Sequence, residues 1–247
     1  MTRGEVEALL ERIKGADSDG DMISLWEEGS PGPGERGEAV RIMASTDLWY
    51  WLPLISHILK GQLCTEEFPA LARELGSHVG PHLAGEVYWK GLIEAGEEHP
   101  REAMECAMDL LEDREEVTAV FASALLAGVA RREPGRIRER ASELLSGREK
   151  VEWSAALRAL NVALREGSLS PSETVDMVTS LPVPEDPDLQ SVYSMSLRLV
   201  HAASPKKVEE RYRELIDSSD EWVRMQVFYD ISVVPGVSEE LLEHLRG

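Results

Sequence analysis

Apolar residues along this 247-residue chain fall three and four positions apart, and almost nowhere do apolar and polar residues alternate. That spacing follows the turn of an α-helix and not the two-residue period of a strand. Val and Ile, which strands favour, sit among Ala, Leu, Glu and Arg at the same helical spacing, and no Asn-Gly or Asp-Gly pair separates alternating runs. Pro100, Pro134, Pro171 and Pro205 each stand just ahead of an amphipathic segment. Proline suits the first helical position, where its missing N–H would have no partner within the helix.

Counted from these prolines, the apolar positions recur. Three residues on lie Ala103, Ile137 and Val208, with Thr174 in the corresponding place of the third segment. Seven on lie Ala107, Ala141, Val178 and Tyr212, and ten on lie Leu110, Leu144, Leu181 and Leu215. The stripe also runs from Thr65 as Phe68, Ala72 and Leu75, and from Ser238 as Leu241 and Leu245. The six anchors are spaced by 35, 34, 37, 34 and 33 residues, a period that points to stacked helix pairs. Behind each first helix comes a second, more apolar one, over 81–95, 115–130, 150–164, 187–202 and 219–234. Val117, Val120, Phe121, Ala124, Leu125 and Ala127 spread around most of a helix circumference, so these second helices are expected inside the stack.

The pattern predicts one all-α solenoid domain, 1–247. Residues 65–247 form its regular pairs and 35–64 a divergent pair, with helices over 37–45 and 47–60. Residues 1–34 form a helical cap, with helices over 3–14 and from Asp21, closed by the loop Gly29-Ser30-Pro31-Gly32-Pro33-Gly34.

Ser219-Asp220-Glu221-Trp222-Val223-Arg224, ahead of an apolar helix, resembles the Asp-x-x-Val-Arg opening of the second helix of a HEAT repeat. Residues 113–119 and 148–153 are weaker versions that keep the valine without the arginine. The resemblance covers about residues 65–247. It implies a right-handed α-α superhelix of HEAT-like pairs, of the armadillo type, in which Asp220 and Arg224 bridge successive repeats. It also implies an extended surface for binding other proteins.

Charge narrows the partners. The net charge is −20, with 34 Glu and 12 Asp against 20 Arg and 6 Lys. Such a surface disfavours direct nucleic-acid binding, which needs clustered Lys and Arg, and suits a basic protein or peptide. Abundant Glu beside a single Asn, Asn161, and three Gln fits a heat-adapted or high-salt source. No apolar run is long enough to span a membrane, and the N-terminus opens straight into an acidic amphipathic helix, so a cytoplasmic protein is expected. Cys64 and Cys106 are expected as small buried hydrophobes.

Three constellations carry candidate chemistry. Asp17, Asp19 and Asp21, with Glu28 at the twelfth position, resemble a calcium loop, although Met22 stands where the turn needs glycine. Calcium is the one cofactor they suggest; an acidic turn between helices is the plainer reading. His78 and His82, with His57 and Cys64 nearby in sequence, are zinc-type ligands, but Gly80-Pro81 separates the two histidines. Either group would make the chain a metal-dependent module or enzyme. Trp49, Tyr50 and Trp51 cannot all face one core, which makes Trp49 and Trp51 candidate partner contacts. Glu115, Glu116, Glu152, Asp188, Asp220 and Glu221, at the starts of second helices, are further candidates: they favour the helix dipole and would attract a basic partner. The favoured function is a non-catalytic protein-binding scaffold. An acidic mimic of nucleic acid is a further alternative.

Overall fold

The structure, a computed structural model, describes residues 1–63, 65, 67–78, 89–147, 149–217 and 221–245, leaving aside the side chains of Leu48, His78, Trp89 and Lys90. Among the described residues every regular element is helical. The first eight helices are α1 (Arg3–Ile13), α2 (Asp19–Gly29), α3 (Pro33–Thr46), α4 (Leu48–Gln62), α5 (Phe68–His78), α6 (Trp89–Glu98), α7 (Pro100–Glu112) and α8 (Glu116–Arg132). Then follow α9 (Pro134–Ser146), α10 (Lys150–Arg165), α11 (Pro171–Thr179), α12 (Pro187–Val200), a 3-10 turn (His201–Ala203), α13 (Pro205–Ile216), α14 (Glu221–Ser232) and α15 (Glu239–His244).

Local chemistry sets the boundaries. Pro33, Pro100, Pro134, Pro171, Pro187 and Pro205 each open a helix. Side chains also cap first turns: Asp186 Oδ1, just ahead of Pro187, accepts from Leu189 N–H at 3.0 Å, and Ser238 Oγ accepts from Leu241 N–H at 3.2 Å. The Gly29–Gly34 stretch is a shorter break than its Pro and Gly content suggests. α2 runs to Gly29 and α3 begins at Pro33, because Ser30 turns the chain in the left-handed region (φ 46°) and Pro33 is already helical.

The chain divides into two compact units, Met1–Val129 and Ala130–Gly247, the boundary falling within α8. In the N-terminal unit α1 packs on α2 and α3, α3 on α4 and α5, α4 on α2 and α6, and α7 on α5 and α6. Contacts run in one direction along alternate helices. Met1 and Arg3 meet Glu35 and Glu38 of α3, while Ser56 and Lys60 of α4 meet Gly91 and Glu98 of α6. Alternate helices are therefore parallel. α6 and α8 touch backbone to backbone: a Cβ on Gly128 would lie 2.1 Å from the Ile93 carbonyl oxygen and 2.8 Å from Gly96 Cα. Only glycine at both positions allows that approach.

The C-terminal unit is built the same way. α10 packs on α9 and α12, α12 on α11, α13 and α14, and α13 on α11, α14 and α15. Lys150–Asp186 (2.7 Å), Asn161 Nδ2 to the Val192 carbonyl (3.2 Å) and Arg165–Met195 run in the same order along α10 and α12. Lys207–Asp176 (2.6 Å) and Arg211 Nε to the Thr179 carbonyl (2.9 Å) do so for α11 and α13.

Candidate interaction surface

The acidic candidates stand where their spacing placed them. Glu116, Glu152, Asp188 and Glu221 lie in the first turns of α8, α10, α12 and α14, and Glu115 immediately precedes α8. Carboxylates there offset the partial positive charge of the helix start. Glu115, Asp188 and Glu221 are exposed, while Glu116 and Glu152 are half-buried. Asp220 lies outside the described residues, and with it the expected Asp220–Arg224 pair; Arg224 itself is half-buried on α14.

The two tryptophans part company. Trp49 is 61% exposed, but Trp51 is 4% exposed, its ring edge-on to Tyr50 with centroids 4.9 Å apart. Trp51 is thus a core residue and not a surface contact. A helix turns by roughly 100° per residue, so two positions along α4 lie on nearly opposite faces.

The calcium-type reading of this segment finds no twelve-residue loop, only a short turn between α1 and α2. Asp19 already opens α2, capped by Ser18 Oγ, which accepts from Asp21 N–H at 3.2 Å. Asp19, Asp21 and Glu28 are therefore strung along one helix instead of converging as a twelve-residue turn requires, and Glu28 faces Arg12 at 4.0 Å. The helix wins here because Met22 is buried in the core, a role that a glycine turn could not fill. His82, Cys64 and the His78 side chain lie outside the described residues, and His57 pairs with Glu27 at 3.3 Å. No cluster of three or more His, Cys, Asp or Glu able to hold a metal occurs among the described residues. Cys106 is half-buried, its Sγ–H donating to the Leu63 carbonyl at 2.9 Å. Among the described residues no helix is long and apolar enough to cross a membrane.

Most of the exposed large apolar side chains among the described residues lie on or beside α14. Val223, Val227 and Ile231 point into the core, yet Trp222 (63%), Met225 (51%), Tyr229 (57%) and Val233 (50%) are exposed. The first three sit at offsets of 0, 3 and 7, one stripe down the helix that Val233 extends just past its end, with Phe228 on its flank. Burial of such side chains releases about 1.5–3 kcal/mol each, a stabilisation that this stripe forgoes while it faces solvent.

Beneath it α14 is pinned by a buried carboxylate. Asp230 is fully buried; its Oδ2 accepts from Ser194 Oγ at 2.6 Å, and its Oδ1 lies 3.0 Å from Arg198 Nη1. The Arg198 contact is poorly aligned, so Oδ1 receives charge neutralisation without a directed hydrogen bond. Arg198 also lies 5.9 Å from the centre of the Tyr229 ring, tying the pair to the exposed stripe. Burial first, then the Asp230 charge, pushes the neighbouring Tyr212 phenol above its ordinary range. Ser194, Arg198 and Asp230 are 32–36 residues apart in pairs across α12 and α14. That separation hid them in the sequence; the signal it offered was an aspartate, Asp230, on the same stripe as Val223 and Val227.

Comparisons with models of protein families, with curated proteins and with solved structures give no significant match.

Proposed function

We propose that this protein is a non-catalytic binding scaffold, a HEAT-like stack of helix pairs that takes up a basic, amphipathic protein segment on α14. The observation that carries the reading is the exposed stripe Trp222–Met225–Tyr229–Val233 on a helix whose other side is already buried. Trp and Tyr are the side chains that dominate binding energy at protein interfaces. The stack itself is supported by parallel alternate helices. Contacts between them join residues 30–40 apart, bracketing the 33–37-residue spacing of the anchors. Glu221 in the first turn of α14, on a unit that carries a net −5, favours basic flanks on the partner.

A synthetic amphipathic helix of Leu and Lys carrying a fluorescent dye is the probe, with binding followed by the anisotropy of the dye. The intact protein should bind it, more weakly as salt rises. The double variant Trp222→Ser, Tyr229→Ser should lose about tenfold or more in affinity while keeping its melting temperature. Equal binding by wild type and variant would sink the proposal.

A further inference from the structure

The N-terminal unit holds 25 Asp and Glu against ten Lys and Arg, so nearly every cation there has an acid within reach. Arg41 pairs with Glu74 at 2.8 Å, Lys60 with Glu98 at 2.9 Å, and Arg73 with Asp113. Among the Lys and Arg side chains described in this unit, Arg36 alone has no partner. It is half-buried, and it occupies the first turn of α3, where the helix dipole disfavours a positive charge. Neither a neighbour nor the helix compensates this guanidinium for the water it has lost.

Arg36 lines a cleft of about 330 Å³ between α2, α4 and the start of α3. That volume lies at the small end of the range for metabolite sites. Trp26 and Ile58, 5% and 3% exposed, form apolar wall, and the polar wall is His57, Glu27 and Gln62. Gln62 is already engaged: its amide donates to the Gly61 carbonyl at 3.1 Å and accepts from Thr65 at 3.2 Å. The Ser30 hydroxyl likewise donates to the Glu27 carbonyl at 3.0 Å. Arg36 is left as the uncommitted donor, with His57, held by Glu27, beside it.

We propose that this cleft binds a small molecule through an oxyanion, a carboxylate or a phosphate. The planar fork of Arg36 takes two of its oxygens, and the Trp26–Ile58 wall bounds its apolar part. A fork that offers parallel N–H donors suits both anions. The opposed charge of Glu27 at the rim selects against large polyanions, which would meet that carboxylate as well.

The test uses the full chain, labelled with ¹⁵N, and follows the Arg36 Nε–Hε resonance during titration with acetate, benzoate, inorganic phosphate and phenyl phosphate. Sodium chloride at matched ionic strength is the control. Saturable shifts with at least one oxyanion are expected, stronger for the aromatic member of the preferred pair. Arg36→Gln, read through the Trp26 indole resonance, should weaken binding about tenfold or more. A preference for the phosphates or for the carboxylates names the ligand class. Shifts no larger than those of chloride, or equal binding by Arg36→Gln, would overturn the proposal. If that variant does not fold, Arg36→Lys, which keeps the charge but loses the fork, gives the same comparison.

Discussion

Residues Met1–Val129 carry a net −15, whereas Ala130–Gly247, with 16 Lys and Arg against 21 Asp and Glu, carry −5. The interiors differ in the opposite sense. Among the described residues, the buried polar side chains of the N-terminal unit are Gln62, Thr118 and Ser123. The C-terminal unit buries Asn161, Gln190, Ser194, His201, Glu209 and Asp230, among others. One unit is acidic outside and dry within, its helices meeting through glycine at Gly96 and Gly128. The other is nearly balanced outside, threaded by polar links within, and turns an apolar helix face to solvent. Dry packing tolerates no added volume, while polar links tolerate no lost partner. The two units should therefore fail under different substitutions.

The sharpest way to break the N-terminal unit is Gly128→Ala. The added methyl would meet backbone atoms that cannot rotate away, and a loss of about 3 kcal/mol or more is expected in urea unfolding. Hydrogen exchange should localise that loss to Met1–Val129; an unchanged midpoint would remove glycine contact as the basis of the comparison. In the C-terminal unit the matching change is Asp230→Ala. Stripping the partner from a buried ion pair costs about 3–5 kcal/mol when both charges are enclosed. Arg198 keeps 22% of its side chain exposed and can turn to water, so about 2 kcal/mol is expected here. A cost below that of an exposed pair would show that Asp230 does not hold α14.

Acid separates the units next. Desolvation would raise the pKa of Glu209, but hydrogen bonds from the Ser238 hydroxyl and N–H, with His201 at 3.4 Å, outweigh it and hold the carboxyl below its ordinary value. A lowered folded pKa contributes stability above the ordinary carboxylate range, and that contribution is lost as pH falls through the folded value. Glu209→Gln should flatten the acid limb of C-terminal unfolding, measured by melting between pH 6 and pH 3, a span of about three units. A limb of unchanged slope would assign the acid loss elsewhere. The smallest effect is expected at the exposed rungs. Glu98→Gln, removing the exposed Lys60 pair, should cost about 0.5 kcal/mol or less, and salt should erase the difference. A larger loss would mean that surface pairs also fix the register of the acidic unit.

Much of this architecture was legible because its signals are local. Pro100, Pro134, Pro171, Pro187 and Pro205 open helices as their positions imply, and the stripes counted from the anchors are buried at Ala103, Ala107, Leu110, Val208, Tyr212 and Leu215. Pro33 was masked by its neighbours: between two glycines it reads as loop, although it occupies the same helical position as the others. The surface was less legible, because exposure depends on what packs alongside. Trp222 and Tyr229 share the all-round apolar pattern of α8, yet α8 is enclosed from Thr118 to Ala130 and α14 is open on one side. No periodicity distinguishes those outcomes. Arg36 was silent for a related reason: only the fold shows that no carboxylate among the described residues pairs with it.

The packing of helices on near neighbours in the chain, such as α3 on α4 and α5 or α12 on α13 and α14, also bears on how the chain finds its structure. Every such contact closes a loop of a few tens of residues, so little chain entropy is spent before contacts form. Folding of this kind is fast for its size and can start at several places. Even the link from Cys106 to Leu63 spans only 43 residues. Within each unit a helix can therefore settle on those before it as it leaves the ribosome, before the rest of the protein exists.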